Sequence, residues 1–175
     1  MPEQRFMMVS IAAILCAGTV MAVIAMSTQQ WIVQELHGRI TYGLTHECYE
    51  KPFDDGVVEC DAYDSAPPEW SATFVFLLLG TGSLIGASFY AVLSFTDRDK
   101  LNESKKYGIA ASVVFSVAAL IFPGGFDYHG IGGTPYRLPD NAEIGYSYIM
   151  FVVTLVFVFM SQLMTMKVLF EDFLP

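Results

Sequence analysis

Four stretches of this chain are almost wholly apolar and contain no Asp, Glu, Lys, Arg or His: residues 7–26, 72–95, 107–123 and 145–166. A helix needs about 20 such residues to cross the hydrocarbon core of a bilayer. The first, second and fourth runs have that length, and the third, with 17 residues, stands at the lower limit. Backbone polar groups in lipid must be bonded within their own element, so each run is read as a helix. Four such runs in 175 residues, 54% of them hydrophobic, exceed what the core of a soluble domain requires. The first run is too long for a secretory signal's apolar region of about 7–15 residues, and no small-residue cleavage pattern precedes Trp31, so it reads as a span. The expected fold is an all-α membrane bundle of four transmembrane helices forming a single domain over 1–175, with outer loops 27–71 and 124–144 and an inner loop 96–106.

Orientation follows from the basic residues. Arg98, Lys100, Lys105 and Lys106 lie between spans two and three, and Arg5 and Lys167 flank spans one and four on the same side, making six of the nine. That side is expected to be cytosolic, with both termini inside. The sequon Asn102-Glu103-Ser104 then faces the cytosol, where it would escape glycosylation. The net charge of −9 comes largely from the first outer loop, which has nine acidic residues against Arg39 and Lys51. Such acidity argues against nucleic acid and against an anionic membrane surface as partners.

The first outer loop is patterned like a small β-sheet. "WIVQEL" is followed by His37-Gly38 and then "RITYGLT", in which Ile40, Tyr42 and Leu44 alternate with Arg39, Thr41 and Gly43. A further strand is expected within "GVVECDAY", bringing Cys60 opposite Cys48, and an oxidising compartment permits a disulfide between them. Pro67 and Pro68 stop the sheet. Trp31 and Trp70 flank the adjoining spans and read as interfacial anchors. In the second loop, residues 136–138 are expected to add an edge strand. Cys16 reads as a small buried hydrophobe within span one. Gly82 and Gly86, in a G-x-x-x-G with Gly80 nearby, read as helix-packing positions, joined by Ala13 and Ala17 on span one and Gly108, Ser112 and Ser116 on span three.

Chemistry is sparse. Charge-free spans argue against proton relays, transport and catalysis within the membrane. Thr81, Ser83, Thr154 and Gln162 fit interhelical hydrogen bonds better than nucleophiles. His37, His46, His129 and Asp127 could in principle gather a zinc ion or sense pH, but their spacing matches no ligand pattern, so neither metal nor cofactor is expected. "GIGG" at 130–133 lacks the lysine and following helix of a phosphate loop and reads as a turn.

The layout resembles the claudin and peripheral-myelin-protein superfamily, in which a first-loop Trp precedes Gly-Leu-Trp-x-x-Cys and a second Cys. Trp31, Gly43, Leu44, Cys48 and Cys60 keep that order, although Thr45 stands where the second Trp belongs and the tail ends in Phe-Leu-Pro. A more specific resemblance is to the modulator (attenuator) of Smoothened family within that superfamily. It lies in "PPEW" (67–70), "AALIFP" (118–123), Gly125-Phe126, "GGTPYRLPDN" (132–141) and "GYSYIMF" (145–151). The resemblance implies a claudin-like four-span fold and a negative regulator of Hedgehog signalling. It also implies association with a single-span glycoprotein and a cytosolic RING ubiquitin ligase, together lowering Smoothened at the surface and cilium. The expected location is the plasma membrane, with the ciliary membrane or endosomes as further sites. Phe126, Tyr128, Tyr136 and Arg137 are the candidate partner contacts. The alternatives are a claudin-like junction or barrier protein, marked by strands at cell contacts, and an auxiliary channel subunit, marked by altered gating; an enzyme fits least.

Overall fold

The computed structural model describes residues 2–35, 38–50, 58–64 and 66–171. Four long helices run as α1 (Pro2–Ser27), α2 (Pro68–Leu93), α3 (Lys100–Ile121) and α4 (Tyr146–Glu171). All four are long and apolar enough to cross a membrane. Each helix packs against its neighbours in a ring: α1 against α2 and α4, and α3 against α2 and α4.

What an apolar run hides is which of its faces turns inward. The buried positions answer this with a repeat of alternating threes and fours. In α4 they are Ser147, Phe151, Thr154, Val158, Ser161, Thr165 and Val168. In α3 they include Leu101, Ser104, Gly108, Ala111, Phe115 and Ala118. A strict repeat averaging 3.5 residues is the left-handed coiled-coil seam, with helices crossing at about 20°. Much of the seam is small or hydroxylated, which is how helices approach closely where lipid removes the hydrophobic drive. Thr19 Oγ1 and Ser88 Oγ lie 2.9 Å apart and join α1 to α2. Ser104 Oγ donates to the Ala87 carbonyl at 2.8 Å and joins α3 to α2.

The seam corrects several sequence expectations. Gly80 is buried against the Phe115 ring and Gly86 abuts the Tyr107 ring, whereas Gly82 has nothing within 4 Å of where a Cβ would stand. Gly82 therefore lies on the outward face. Ala13 and Ala17 are exposed, and α1 turns Ala12, Gly18, Ala22 and Ala25 inward instead. Cys16 is exposed too, on the lipid-facing side of α1. The inner connection is shorter than 96–106, because α3 begins at Lys100. Its polar first turns persist since Leu101 and Ser104 are buried.

A five-stranded antiparallel sheet covers one end of the bundle in the order β4-β3-β2-β1-β5. The strands are β1 (Ile32–Glu35), β2 (Arg39–Tyr42), β3 (His46–Glu50), β4 (Val58–Ala62) and β5 (Ala142–Ile144). β1 and β2 pair as the expected hairpin, in a register that includes Ile32 opposite Tyr42 and Glu35 opposite Arg39. Cys48 on β3 faces Cys60 on β4, and a disulfide joins them. β3 itself was not legible as a separate strand, because the alternation of "RITYGLT" runs straight through the Gly43–Thr45 turn. The edge strand from the second loop is β5, paired with β1, and not residues 136–138. Those residues cannot pair, because Tyr136 has φ of 64° and sits in a turn closed between Thr134 and Arg137. α2 starts where the chain carries Pro68 at its first helical position, whose missing N–H would have had no partner there.

Candidate interaction surface

The second connection, residues 122–145, begins with a 3-10 turn over Phe122–Asp127 that continues directly from α3. Its aromatic side chains pack down onto the sheet and helix ends. Phe122 lies 4.9 Å from Trp31 and 6.1 Å from Trp70 between ring centroids. Tyr128 lies 6.4 Å from Tyr42, 5.8 Å from Tyr63 and 5.6 Å from Trp70. Each such pair adds about 0.5–1.5 kcal/mol beyond its area burial.

Trp31 and Trp70 are both fully buried at the centre of this cluster, so neither is an interfacial anchor. A tryptophan at the end of an apolar run looks the same in sequence whether its ring turns to the headgroups or to the protein. Here Phe122 and Tyr128 of the cap supply ring partners. Trp31 Nε1 donates to the Ala25 carbonyl at 3.0 Å. Trp70 packs over Gly125, where any Cβ would strike the indole.

Hydrogen bonds tie sheet and cap together. Tyr42 Oη lies 2.9 Å from the Gly130 carbonyl and 3.1 Å from Gln34 Oε1. Tyr63 Oη donates to the Gly43 carbonyl at 2.9 Å. Burial, with the carboxylate of Glu47 nearby, pushes the Tyr42 phenol up to about 12 and holds Tyr63 above the ordinary tyrosine value as well. These tyrosines are neutral structural donors throughout the physiological range.

The candidate contacts divide. Phe126 is buried, 5.5 Å from Phe122, and roots the cap from beneath. Tyr128 is half-buried in the tyrosine cluster. Tyr136 and Arg137 are exposed on the turn at the tip. That turn is Thr134-Pro135-Tyr136-Arg137: Arg137 N donates to the Thr134 carbonyl at 2.9 Å, and Thr134 N donates back at 3.1 Å. Proline at the second position with positive φ at the third is the pattern of a type II turn, where glycine normally takes the third place. Tyrosine there costs about 1–2 kcal/mol of backbone preference. Sequence alone gave no sign of that φ, since Pro135 was visible but its turn partner was not.

His46 Nδ1 lies 2.8 Å from Thr45 Oγ1, and His129 and Asp127 are exposed. Among the described residues no three His, Cys, Asp or Glu side chains come together as metal ligands, and His37 lies outside those residues. The exposed chemistry is acidic, with Glu50 on β3 and Glu59 and Asp61 on β4, and Glu47 half-buried on β3.

These features define a class: a multi-pass membrane protein whose two connections at one end of the bundle fold into a disulfide-closed sheet and an aromatic-rooted cap. The layout is consistent with a claudin-like four-span fold. A family model for Attenuator of Hedgehog matches residues 28–171, which takes in the sheet, the cap and α2 to α4. The chain belongs to that family, whose members are negative regulators of Hedgehog signalling.

Proposed function

We propose that this chain is a non-enzymatic membrane adaptor, acting at the plasma membrane or cilium with the sheet outside and both termini in the cytosol. In this account it engages a single-span glycoprotein through its outer surface, and that partner brings a RING ubiquitin ligase to Smoothened and lowers its surface level.

The observation that carries the proposal is Tyr136. A large aromatic side chain, 68% exposed, is held at φ of 64° on a proline-led turn above a fully packed cap. Strain retained at an exposed tip points to use of the side chain rather than to packing. Tyr136 and Arg137 together present a rigid aromatic ring beside a guanidinium, residue types enriched where interfaces carry their binding energy. Affinity purification from cells expressing the intact protein, followed by mass spectrometry, tests the reading. Recovery of a single-span glycoprotein with a RING ligase, lost on changing Tyr136 and Arg137 to alanine, is the expected result. Recovery of junction proteins or channel subunits instead would contradict it.

A further inference from the structure

The sheet ends on one side at β4, whose outer edge pairs with no further strand among the described residues. All five residues of β4, Val58–Ala62, are exposed. We propose that this edge docks an extended segment from a partner's outer region, one that alternates basic and apolar residues and joins the sheet as a further strand.

The backbone of β4 has the groups for such pairing. Cys48 and Cys60 stand opposite each other with 4.1 Å between their Cα atoms, the narrow spacing of a non-hydrogen-bonded antiparallel pair. Cys60 therefore turns its N–H and C=O away from β3, and by alternation Val58 and Ala62 do the same. Among the described residues these outward groups have no hydrogen-bond partner. Edge strands are commonly blunted by Pro, Lys or a bulge. β4 carries neither residue, and its register with β3 runs unbroken from Ala62 opposite His46 to Val58 opposite Glu50. The other edge, β5, has only three residues and leads straight into α4.

Charge selects the occupant. Asp61 on β4 and Asp64 just beyond it are exposed, and neither has a cation in ion-pair range among the described residues. Glu47, half-buried, stands opposite Asp61. Arg39 is the one Lys or Arg of the described strands, and it lies two strands inward, opposite Glu35 and Glu50. Residues 27–71 carry nine acidic side chains against Arg39 and Lys51, so this region stays negative after every internal pairing. A second copy would bring the same charges to the edge and be repelled, whereas a basic strand is complementary. Glu59 and Asp61 lie on one face of β4 and Val58, Cys60 and Ala62 on the other, because side chains alternate along a strand. The incoming strand therefore needs basic residues on the first face and apolar ones on the second, beside Val58, which is 56% exposed. This pairing requires neither Tyr136 nor the glycoprotein named above.

The test is fluorescence anisotropy of a labelled peptide of alternating arginine and valine, titrated with the intact protein in detergent. Saturable binding is expected, about tenfold tighter than for the same peptide with glutamate in place of arginine. Methylating the peptide's backbone nitrogens keeps its charge and removes its strand donors, and should weaken binding about tenfold. Val58→Pro removes an outward N–H and leaves the ladder to β3 intact, so it should weaken binding about fivefold at an unchanged melting midpoint. Asp61→Asn, on an exposed side chain, should weaken it about threefold. Absence of saturable binding, equal binding of the arginine and glutamate peptides, or binding untouched by backbone methylation would each overturn the edge as a docking site. A dimer of the chain that Val58→Pro dissolves would make a second copy the occupant and overturn the basic strand.

Discussion

The Tyr42 hydroxyl and the Gly130 carbonyl lie 2.9 Å apart, although 88 positions separate them in the chain. This bond fastens the middle strand of the sheet to the cap that follows α3, across a buried interface shared with Gln34 and Trp70. Tyr42→Phe removes the hydroxyl donor that the Gly130 carbonyl and the buried Gln34 Oε1 share, while keeping the ring. It should lower stability by about 1–2 kcal/mol, read as a lower melting midpoint in detergent.

The same tyrosine sets an alkaline limit. Its folded value of about 12 exceeds the ordinary value of 10, so the native state holds the proton more tightly than the unfolded chain. The contribution is complete below pH 10 and is lost as pH rises from about 10 through 12. Melting midpoints should therefore be level up to pH 10 and fall above it, less steeply in Tyr42→Phe than in the parent.

Cys48 and Cys60 close a loop with a sequence separation of 12 between adjacent strands. Opening a loop of this size costs roughly 3 kcal/mol in the chain-entropy account. Cys48→Ser should be retained in the secretory pathway, seen as protein that escapes surface biotinylation and co-localises with a reticulum marker. Normal surface arrival would show the disulfide to be dispensable.

Gly80 and Gly82 separate the two faces of α2. A side chain at Gly80 would run into the buried Phe115 ring, while one at Gly82 meets nothing within 4 Å. Gly80→Val should destabilise by about 1–3 kcal/mol through overpacking. Gly82→Val should stay within about 0.5 kcal/mol of the parent in the same melting assay.

Much of this architecture was legible in the residues because lipid leaves few options for an uncharged run of about 20 residues. The strand opposite Cys48 and the hairpin at Gly38 were legible for a local reason: alternation and turn residues lie side by side in the chain. Features decided by distant contacts were not. Trp31 and Trp70 became core residues because Phe122, nearly 100 positions from Trp31, folds back onto them. Gly82 and Gly86 looked equivalent in sequence, and only the seam angle of α2 against α3 tells them apart. The edge strand moved from 136–138 to β5 because the turn at Tyr136 uses up the backbone groups that pairing would need.

Tyr136 allows structure and function to be separated. Glycine adopts φ of 64° without penalty, so Tyr136→Gly should fold at least as well as the parent. The most direct measurement is surface Smoothened, by antibody labelling of intact cells lacking this protein and re-expressing either form at equal surface level. The account predicts that the parent chain lowers surface Smoothened several-fold without changing its transcript, and that Tyr136→Gly leaves it high. Surface Smoothened that stays the same with and without the parent chain, while a Hedgehog reporter still falls, would contradict it.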